Sequence, residues 1–321
     1  MVAHWLAELD GRRVVVEAPA SSANLGAGYD CLGVALAIAN RVELEVRGWS
    51  RGGIELTVEG EGRNELSEDR DNRFVRGLEA GLVEARGELP DGIGWRIVMT
   101  NHIPLARGLG SSAAAAVAGV VAADALLGGG VLDQATKLRL ATQVEGHPDN
   151  AAAALLGGFV VAAGAGDEVV ALRFDPTRDL RAVLFIPELR LSTADMRKAL
   201  PAKVPLEDVV ANLGAVAVGV AGLAAGRTDL LGRLTVDRVH ERYRASAYPQ
   251  LPRLVDAARE AGAIGACLSG AGSTILAFAD SMADITRIEA AFSAVAADTD
   301  LPGKVTVVEP RREGAKVLST D

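Results

Sequence analysis

Alternating apolar and polar positions predict short strands in the first part of the chain. Residues 42–46 and 54–58 each place an apolar side chain at every second position, with charged or polar residues between them. A period of two residues is typical of a strand with one buried face. We expect these two strands to be antiparallel, with a turn between them at Gly52-Gly53. Residues 13–17 are rich in β-branched side chains and residues 95–99 alternate again, so both predict further strands.

Two stretches of the first part of the chain are predicted to be helices, one from its apolar periodicity and one from its terminal residues. Residues 72–86 place five apolar side chains on one helical face: Phe74, Val75, Leu78, Leu82 and Val83. Residues 133–145 begin with Asp133, a favoured N-cap residue, and end before the break at Gly146-His147-Pro148. Strands over 159–163 and 169–174 follow, so residues 1–175 predict an α/β domain.

Beyond Asp175-Pro176-Thr177 the pattern predicts a second domain, residues 176–321. Its strands are expected over 182–186, 263–268, 274–279 and 304–309, and its helices over 192–200, 207–225, 251–261 and 282–297. The order β-α-α-β-β-α-β suits a ferredoxin-like α/β sandwich with an added helix. The apolar run 211–225 is too short for a membrane span and predicts a buried helix.

Composition narrows the class of protein. The chain of 321 residues exceeds one typical core, which favours two domains. A net charge of −9 argues against a nucleic-acid partner. Cys31 and Cys267 are far apart, so neither a disulfide framework nor a thiolate metal site is expected. The first ten residues carry no long apolar run of the kind a signal peptide has, and we expect a cytoplasmic enzyme without a membrane anchor.

A glycine loop that runs into an alanine-rich helix suggests a phosphate site. The loop and first turn are Pro104, Leu105, Ala106, Arg107, Gly108, Leu109, Gly110, Ser111, Ser112, Ala113 and Ala114. We expect Ser111 or Ser112 to be the N-cap of a helix that reaches about residue 127. Unpaired N–H groups and the positive end of the helix dipole attract phosphate there. Taken alone, the pattern fits a well-capped core helix equally well.

Two more Gly-rich stretches accompany this loop. Residues 20–33 are small, polar and Gly-rich and predict a loop, in which Asn24 and Asp30 alone would indicate ordinary turns. Residues 268–273 form a second glycine loop between predicted strands. The order and spacing of residues 19–30, 104–114 and 268–273 resemble the GHMP kinases, a superfamily of small-molecule kinases. Its homoserine kinase branch is the most similar, on residues 24–30, 145–150, 191–201 and 243–244.

The resemblance implies a two-domain α/β (α+β) fold with ATP and substrate bound between the domains. It implies transfer of the γ-phosphoryl group of ATP to the hydroxyl of L-homoserine, which yields O-phospho-L-homoserine for threonine biosynthesis. Mg²⁺ is the expected metal and a homodimer the expected assembly. An acceptor such as mevalonate, a sugar or an isoprenoid precursor is the nearest alternative. A non-catalytic binding protein is a second alternative, but it would need a basic face.

The implied nucleotide site uses the 104–114 stretch, with backbone N–H groups around the phosphates. Phosphoryl transfer is mostly positioning and charge stabilisation. We expect the hydroxyl of Ser112 to ligate Mg²⁺. The family position for a metal-binding carboxylate carries Arg139 here, so we assign Glu145, which could equally be an exposed helix end. The role of Arg107 stays open.

The implied acceptor site matches the groups of homoserine. Its carboxylate suits Arg197 and Arg244, because guanidinium binds carboxylate bidentately. Its ammonium suits Asp30 and its hydroxyl Asn24 and Asn150, while His147 could hold the substrate or be structural. We assign Asn24, Asn150 and Arg197 as catalytic. An amide cannot take a proton, so the hydroxyl proton goes to the γ-phosphate, to water or to an unassigned base.

Overall fold

The computed structural model describes residues 8–47, 53–89 and 93–321, which form two sheets with helices packed on them. The strands of the first sheet are β1 (Arg13–Ala23), β2 (Leu32–Arg47), β3 (Gly53–Gly60), β4 (Gly94–Asn101), β5 (Phe159–Ala163), β6 (Val170–Phe174) and β11 (Lys316–Thr320). The strands of the second are β7 (Arg181–Pro187), β8 (Gly265–Leu268), β9 (Ile275–Ala279) and β10 (Gly303–Val308).

Ten α-helices connect the described strands. Those of the first part are α1 (Arg73–Arg86), α2 (Ser111–Leu126), α3 (Gln134–Glu145) and α4 (Pro148–Leu156). Those of the second are α5 (Thr193–Lys198), α6 (Leu206–Ala224), α7 (Leu231–Leu234), α8 (Glu241–Arg244), α9 (Leu251–Glu260) and α10 (Met282–Asp298). Short 3₁₀ turns lie at Gly166–Glu168 and Thr228–Leu230. The one-turn helices α7 and α8 are too short to carry an apolar period, and the sequence pattern did not indicate them.

The predicted antiparallel pairing of β2 with β3 is wrong. The order of the first sheet is β11-β1-β2-β4-β3, with β5 and β6 added on the other part of β2. β4 lies between β2 and β3, antiparallel to the first and parallel to the second. A parallel pair needs a crossover, which α1 supplies. Gly53 begins β3 rather than a turn, and Gly52 lies outside the described residues.

β1 and β2 extend into the stretch predicted as a loop. Residues 20–23 pair with residues 33–36 of β2 and are buried, so the loop is confined to residues 24–31. Small polar residues favour turns locally, but here strand pairing and burial override that preference. The consequence is that Ser21 and Ser22 lie on a rigid strand under the 104–114 loop.

Helix α2 is the centre of the helical layer. Its N-cap is Gly110, with φ of 67°, so the prediction of Ser111 or Ser112 as the N-cap is wrong; they are the first two helical residues. Every residue from Ala113 to Leu126 is buried. A Cβ on Gly77 would lie 2.2 Å from the Ala116 carbonyl oxygen, which shows how closely α1 approaches α2. Alanine and glycine are therefore required here for packing.

The second sheet, of order β10-β7-β9-β8, is fully antiparallel and packs against α9 and α10. Its core includes Phe185, Tyr248 and Phe292. The predicted boundary at 175/176 falls between β6 and β7, where the chain leaves the first sheet. After β10 the chain returns, and β11, which the sequence pattern missed, pairs with β1. The C-terminal part of the chain thus adds the strand β11 to the edge of the first sheet.

Helix α6 is exposed, contrary to the prediction of a buried helix. Only Asp208, Asn212, Gly219 and Gly222 of its 19 residues are buried. By length and composition alone it is the one described helix apolar enough to cross a membrane. Its polar residues hold it to the protein: Asp208 pairs with Arg242 at 2.6 Å, and Asn212 donates to the Ala27 carbonyl at 3.1 Å.

Candidate active site

The three Gly-rich stretches meet around one cavity of about 430 Å³. Its volume lies in the range of small-ligand pockets. The lining includes most of the predicted site: Asn24, Asp30, residues 104–112, Glu145, His147, Asn150, Arg197 and Arg244. Ala113 and Ala114 do not line it, since both lie buried behind the first turn of α2. The predicted nucleotide and acceptor residues therefore share one enclosure.

Backbone hydrogen bonds join the three stretches. Ser21 N–H donates to the Leu109 carbonyl at 3.1 Å, and Gly270 N–H donates to the Ala23 carbonyl at 3.1 Å. The Ser269 hydroxyl donates to the Gly108 carbonyl at 2.6 Å. A buried N–H or C=O is costly without a partner, so these bonds fix the relative positions of the loops. The second glycine loop thus supports the other two.

Glycines let the 104–114 loop lie directly on its support. Gly108 and Gly110 have φ of 73° and 67°, where a side chain is disfavoured. A Cβ on Gly108 would lie 2.0 Å from the Ser269 carbonyl oxygen, and one on Gly110 2.1 Å from Ser21 Oγ. Arg107 donates to the carbonyls of Leu105, Pro187 and Glu188, which cross-links this loop to the end of β7. Its guanidinium therefore has a structural role.

Ser112 and Glu145 come together at the start of α2. The Ser112 hydroxyl donates to Glu145 Oε2 at 2.6 Å, and burial raises the pKa of Glu145. Glu145 is therefore not an exposed helix end. Arg139, at the family's carboxylate position, pairs with Glu84 instead. Within the described ranges no cluster of three His, Cys, Asp or Glu residues could hold a metal, so an ion here would also need phosphate or water ligands.

The predicted acceptor residues Asp30, Arg197 and Arg244 line one part of the cavity. Arg197 Nη2 lies 2.7 Å from Asp30 Oδ1, and Arg197 Nη1 donates to the Tyr29 hydroxyl at 2.7 Å. Arg244 is 2% exposed and donates from Nη1 to the Gly270 carbonyl at 2.8 Å. The Nε atoms of both arginines are buried without a partner. Each guanidinium group therefore has an unused N–H donor at Nε.

Asn24, Asn150 and His147 stand between the two ends. The Asn24 amide donates to the Gly270 carbonyl and accepts from Asp30 N–H, at 2.9 and 3.0 Å. Asn150 Oδ1 accepts from the Ser21 hydroxyl at 2.9 Å. Burial, and the nearby charge of Arg197, lower the pKa of His147, so its ring is neutral at pH 7. These three residues supply uncharged polar groups to the cavity.

Asp149 is a cavity carboxyl that the sequence analysis did not single out. It is 2% exposed and accepts from Asn150 N–H at 2.7 Å. Burial raises its pKa to about 7, and the negative charges of Asp30 and Glu145 act in the same direction. An acidic residue in the first turn of α4 was a signal available in the sequence, but such residues commonly favour the helix dipole alone.

The fold and the site together define a small-molecule kinase. The family model of the GHMP kinase N-terminal domain matches residues 73–158, and that of the C-terminal domain matches residues 220–298. The chain belongs to the GHMP kinases. The crystal structure of L. major mevalonate kinase shares the fold, with a TM-score of 0.64 at 16% identity, and covers 94% of this chain and 98% of its own.

Relatives between 37% and 43% identical to this chain are homoserine kinases. The homoserine kinase of Moorella thermoacetica is 42% identical over 82% of this chain and 86% of its own length. That of Caldicellulosiruptor saccharolyticus is 37% identical over 95% of this chain and 97% of its own. The crystal structure of homoserine kinase from Cytophaga hutchinsonii has a TM-score of 0.84 and 31% identity, and covers 95% of this chain and 97% of its own. The predicted two-domain GHMP kinase fold is thereby confirmed.

Proposed function

We propose that this protein transfers the γ-phosphoryl group of ATP to the side-chain hydroxyl of L-homoserine. The product is O-phospho-L-homoserine, a precursor for threonine biosynthesis in the cytoplasm. The observation that carries the proposal is a single cavity with a phosphate loop at one end and two arginines beside an aspartate at the other. The names of the relatives support the same acceptor.

The nucleotide end supplies backbone hydrogen-bond donors, and the cations Arg73 and Arg107 also line the cavity there. Backbone N–H groups of residues 107–112 and the start of α2 would surround the phosphates. The oxygens of Ser112 and Glu145 are hard ligands of the type that Mg²⁺ prefers, and they already touch at 2.6 Å. Mg²⁺ bound with ATP would neutralise charge on the transferring phosphoryl group. Glu145 would therefore hold the metal, and Ser112 would orient it.

The acceptor end matches a zwitterion with a hydroxyl. Arg197 and Arg244 would bind the carboxylate, and Asp30 would bind the ammonium while it keeps its contact with Arg197. Asn24 and Asn150 would orient the hydroxyl toward the phosphate loop, because an amide donates and accepts without losing a proton. His147 would hold the substrate as a neutral hydrogen-bonding group.

The hydroxyl proton has three possible destinations: the γ-phosphate, water or Asp149. Asp149 is a candidate because its carboxyl lies in the cavity lining and its pKa is about 7. If Asp149 takes the proton, Asp149→Asn lowers kcat strongly and removes a titration near pH 7 from the dependence of kcat on pH. If kcat keeps its profile, the proton goes to phosphate or water.

A turnover assay across candidate alcohols tests the proposed acceptor. ADP formation would be measured with Mg²⁺, ATP and one of L-homoserine, mevalonate or a simple sugar. We expect the highest kcat/KM with L-homoserine. A preference for an acceptor without an amino group would overturn homoserine as the substrate but leave kinase activity in place. No turnover with any alcohol would overturn both.

We also propose a homodimer formed through the exposed face of α6. Leu206, Val210 and Leu213 on this face are 77%, 59% and 65% exposed. The helix is about 28 Å long at 1.5 Å per residue, and its exposed face is almost uncharged beyond its first turn. Two chains of net charge −9 repel each other over most of their surfaces, so an uncharged face suits a second copy.

Sedimentation of the full chain tests this dimer. Leu213→Glu on the α6 face should convert a dimer to a monomer, whereas Glu260→Gln on α9 should not. A wild-type monomer at micromolar concentration, or an unchanged dimer in Leu213→Glu, would overturn the proposal.

A further inference from the structure

Two arginines of the acceptor site lie around one aromatic ring. The guanidinium carbons of Arg197 and Arg244 are each 5.4 Å from the centroid of the Tyr29 ring. The two side chains come from separate helices, α5 and α8. Burial lowers the pKa of Arg244, and the positive charge of Arg197 lowers it further. Two cations that repel each other need a structural reason to stay together before a carboxylate arrives.

We propose that Tyr29 is a positioning residue that makes the site selective for an acceptor with a carboxylate. The inference rests on the proposed function, because it assumes that Arg197 and Arg244 bind the acceptor carboxylate. Tyr29 is half-buried and is not among the residues that line the cavity. It acts on the substrate through the two guanidinium groups.

The hydroxyl of Tyr29 orients Arg197. It accepts a hydrogen bond from Nη1 at 2.7 Å, while Nη2 of the same guanidinium contacts Asp30 at 2.7 Å. Two bonds to one planar group fix both its position and its plane. Burial and the charge of Asp30 raise the pKa of Tyr29, so the hydroxyl remains protonated at neutral pH.

The ring of Tyr29 faces both cations and is itself supported by His240. A guanidinium within about 6 Å of an aromatic ring is attracted by the ring electrons, and this partly offsets the repulsion between the arginines. The ring centroids of Tyr29 and His240 are 5.1 Å apart. One aromatic ring thus contacts both arginines without lining the cavity itself.

His240 supports this arrangement without adding a charge. Its Nε2 lies 2.7 Å from the Gly26 carbonyl oxygen and its Nδ1 lies 3.2 Å from Arg244 Nη1. A carbonyl can only accept and a guanidinium can only donate, so the proton is on Nε2 and Nδ1 accepts. Burial, which dominates, and Arg244 lower the pKa of His240 to about 4. The ring beside Tyr29 is therefore neutral at pH 7.

The test compares two acceptors in Tyr29 variants. L-homoserine carries a carboxylate, whereas 3-aminopropan-1-ol has the hydroxyl and the amine but no carboxylate. Tyr29→Phe removes only the hydroxyl, and we expect KM for homoserine to rise about tenfold with kcat and the KM for ATP unchanged. Tyr29→Leu also removes the ring, and we expect kcat/KM for homoserine to fall about a hundredfold. Turnover of the amino alcohol should change little in both variants.

Tyr243 offers a matched control. Its hydroxyl accepts from Arg242 Nη2 at 2.7 Å and its ring lies 4.7 Å from the Arg242 guanidinium carbon, but neither residue lines the cavity. Tyr243→Phe and Tyr243→Leu should leave the preference for homoserine unchanged. If the Tyr29 variants slow both acceptors equally, or if Tyr29→Phe retains the wild-type KM for homoserine, the inference is wrong. A wild type that rejects homoserine would instead overturn the proposed function.

Discussion

The hydroxyl of Ser112 donates a hydrogen bond of 2.6 Å to Oε2 of Glu145, 33 positions away in the chain. This contact joins the first turn of α2 to the last residue of α3. It places a carboxylate at the positive end of the helix dipole, where anionic phosphates would also bind. A charged carboxylate there would repel phosphate unless a cation lies beside it, and the charge of Arg73 already acts on Glu145.

Glu145→Gln is expected to weaken metal use. The amide keeps the size of the side chain but loses the charge that attracts Mg²⁺. We expect the Mg²⁺ concentration for half-maximal rate to rise about tenfold or more at saturating ATP and homoserine. Glu84→Gln is the control, since Glu84 pairs with Arg139 outside the cavity. An unchanged Mg²⁺ titration would remove Glu145 from the metal site.

Gly110→Val is expected to abolish most ATP binding while the protein still folds. A Cβ at Gly110 would lie 2.1 Å from Ser21 Oγ and 3.1 Å from Asn150 Oδ1, so the loop must shift where phosphate binds. Gly128→Val is the control for the cost of a positive φ, because Gly128 has φ of 100° but open space around it. Calorimetric titration with ATP compares the two. Wild-type ATP affinity in folded Gly110→Val would contradict the phosphate loop.

Arg244→Leu and Asp30→Asn are expected to lose homoserine turnover selectively. Removal of one partner of a buried charge-assisted contact costs on the order of 2–5 kcal/mol, or roughly thirty- to several-thousand-fold in kcat/KM. ATP affinity should barely change, because both residues lie at the acceptor end. Arg190→Leu, which breaks an exposed ion pair with Glu65, is the control. Normal homoserine kinetics in both site variants would show that the acceptor has been assigned wrongly.

Glu241→Gln is expected to make stability less dependent on pH. Burial raises the pKa of Glu241 to about 8, and its Oε1 accepts from Leu268 N–H at 2.7 Å. The unfolded pKa is about 4.3. The folded chain therefore holds a proton that the unfolded chain releases, a stabilisation present below pH ~4 and lost as pH rises through about 8.

Urea unfolding from pH 5 to pH 9 measures this effect. Glutamine keeps the bond to Leu268 and cannot ionise. The free energy of unfolding of the variant should therefore rise relative to that of the wild type by on the order of 4 kcal/mol between pH 5 and pH 9. Glu260→Gln, at the exposed end of α9, should show the same dependence of unfolding free energy on pH as the wild type. A difference between Glu241→Gln and wild type that does not vary with pH would refute the prediction.

Local sequence signals predicted helix starts correctly where the side chain of the N-cap residue forms its hydrogen bonds within a few positions of the chain. Asp133, the predicted N-cap of α3, accepts from Thr136 N–H at 2.7 Å. Asn72, predicted only as the start of a helix, caps α1 and accepts from Phe74 N–H at 2.9 Å. The same signals failed where contact with a distant part of the chain sets the start of the helix. Ser111 and Ser112 have the right chemistry for an N-cap, yet Gly110 takes that position because the loop must lie against Ser21.

The sequence by itself determined which chemical groups are available: the glycine loops, the arginines, the asparagines and the order of most strands and helices. These depend on residue type and on neighbours within a few positions. Only the tertiary structure decided which distant groups meet. The Ser112–Glu145 contact, the two arginines around Tyr29, the insertion of β4 beside β3 and the exposure of α6 all depend on contacts between segments far apart in the chain. Such contacts are fixed by burial and by the pairing of buried polar groups, which no short stretch of sequence specifies alone.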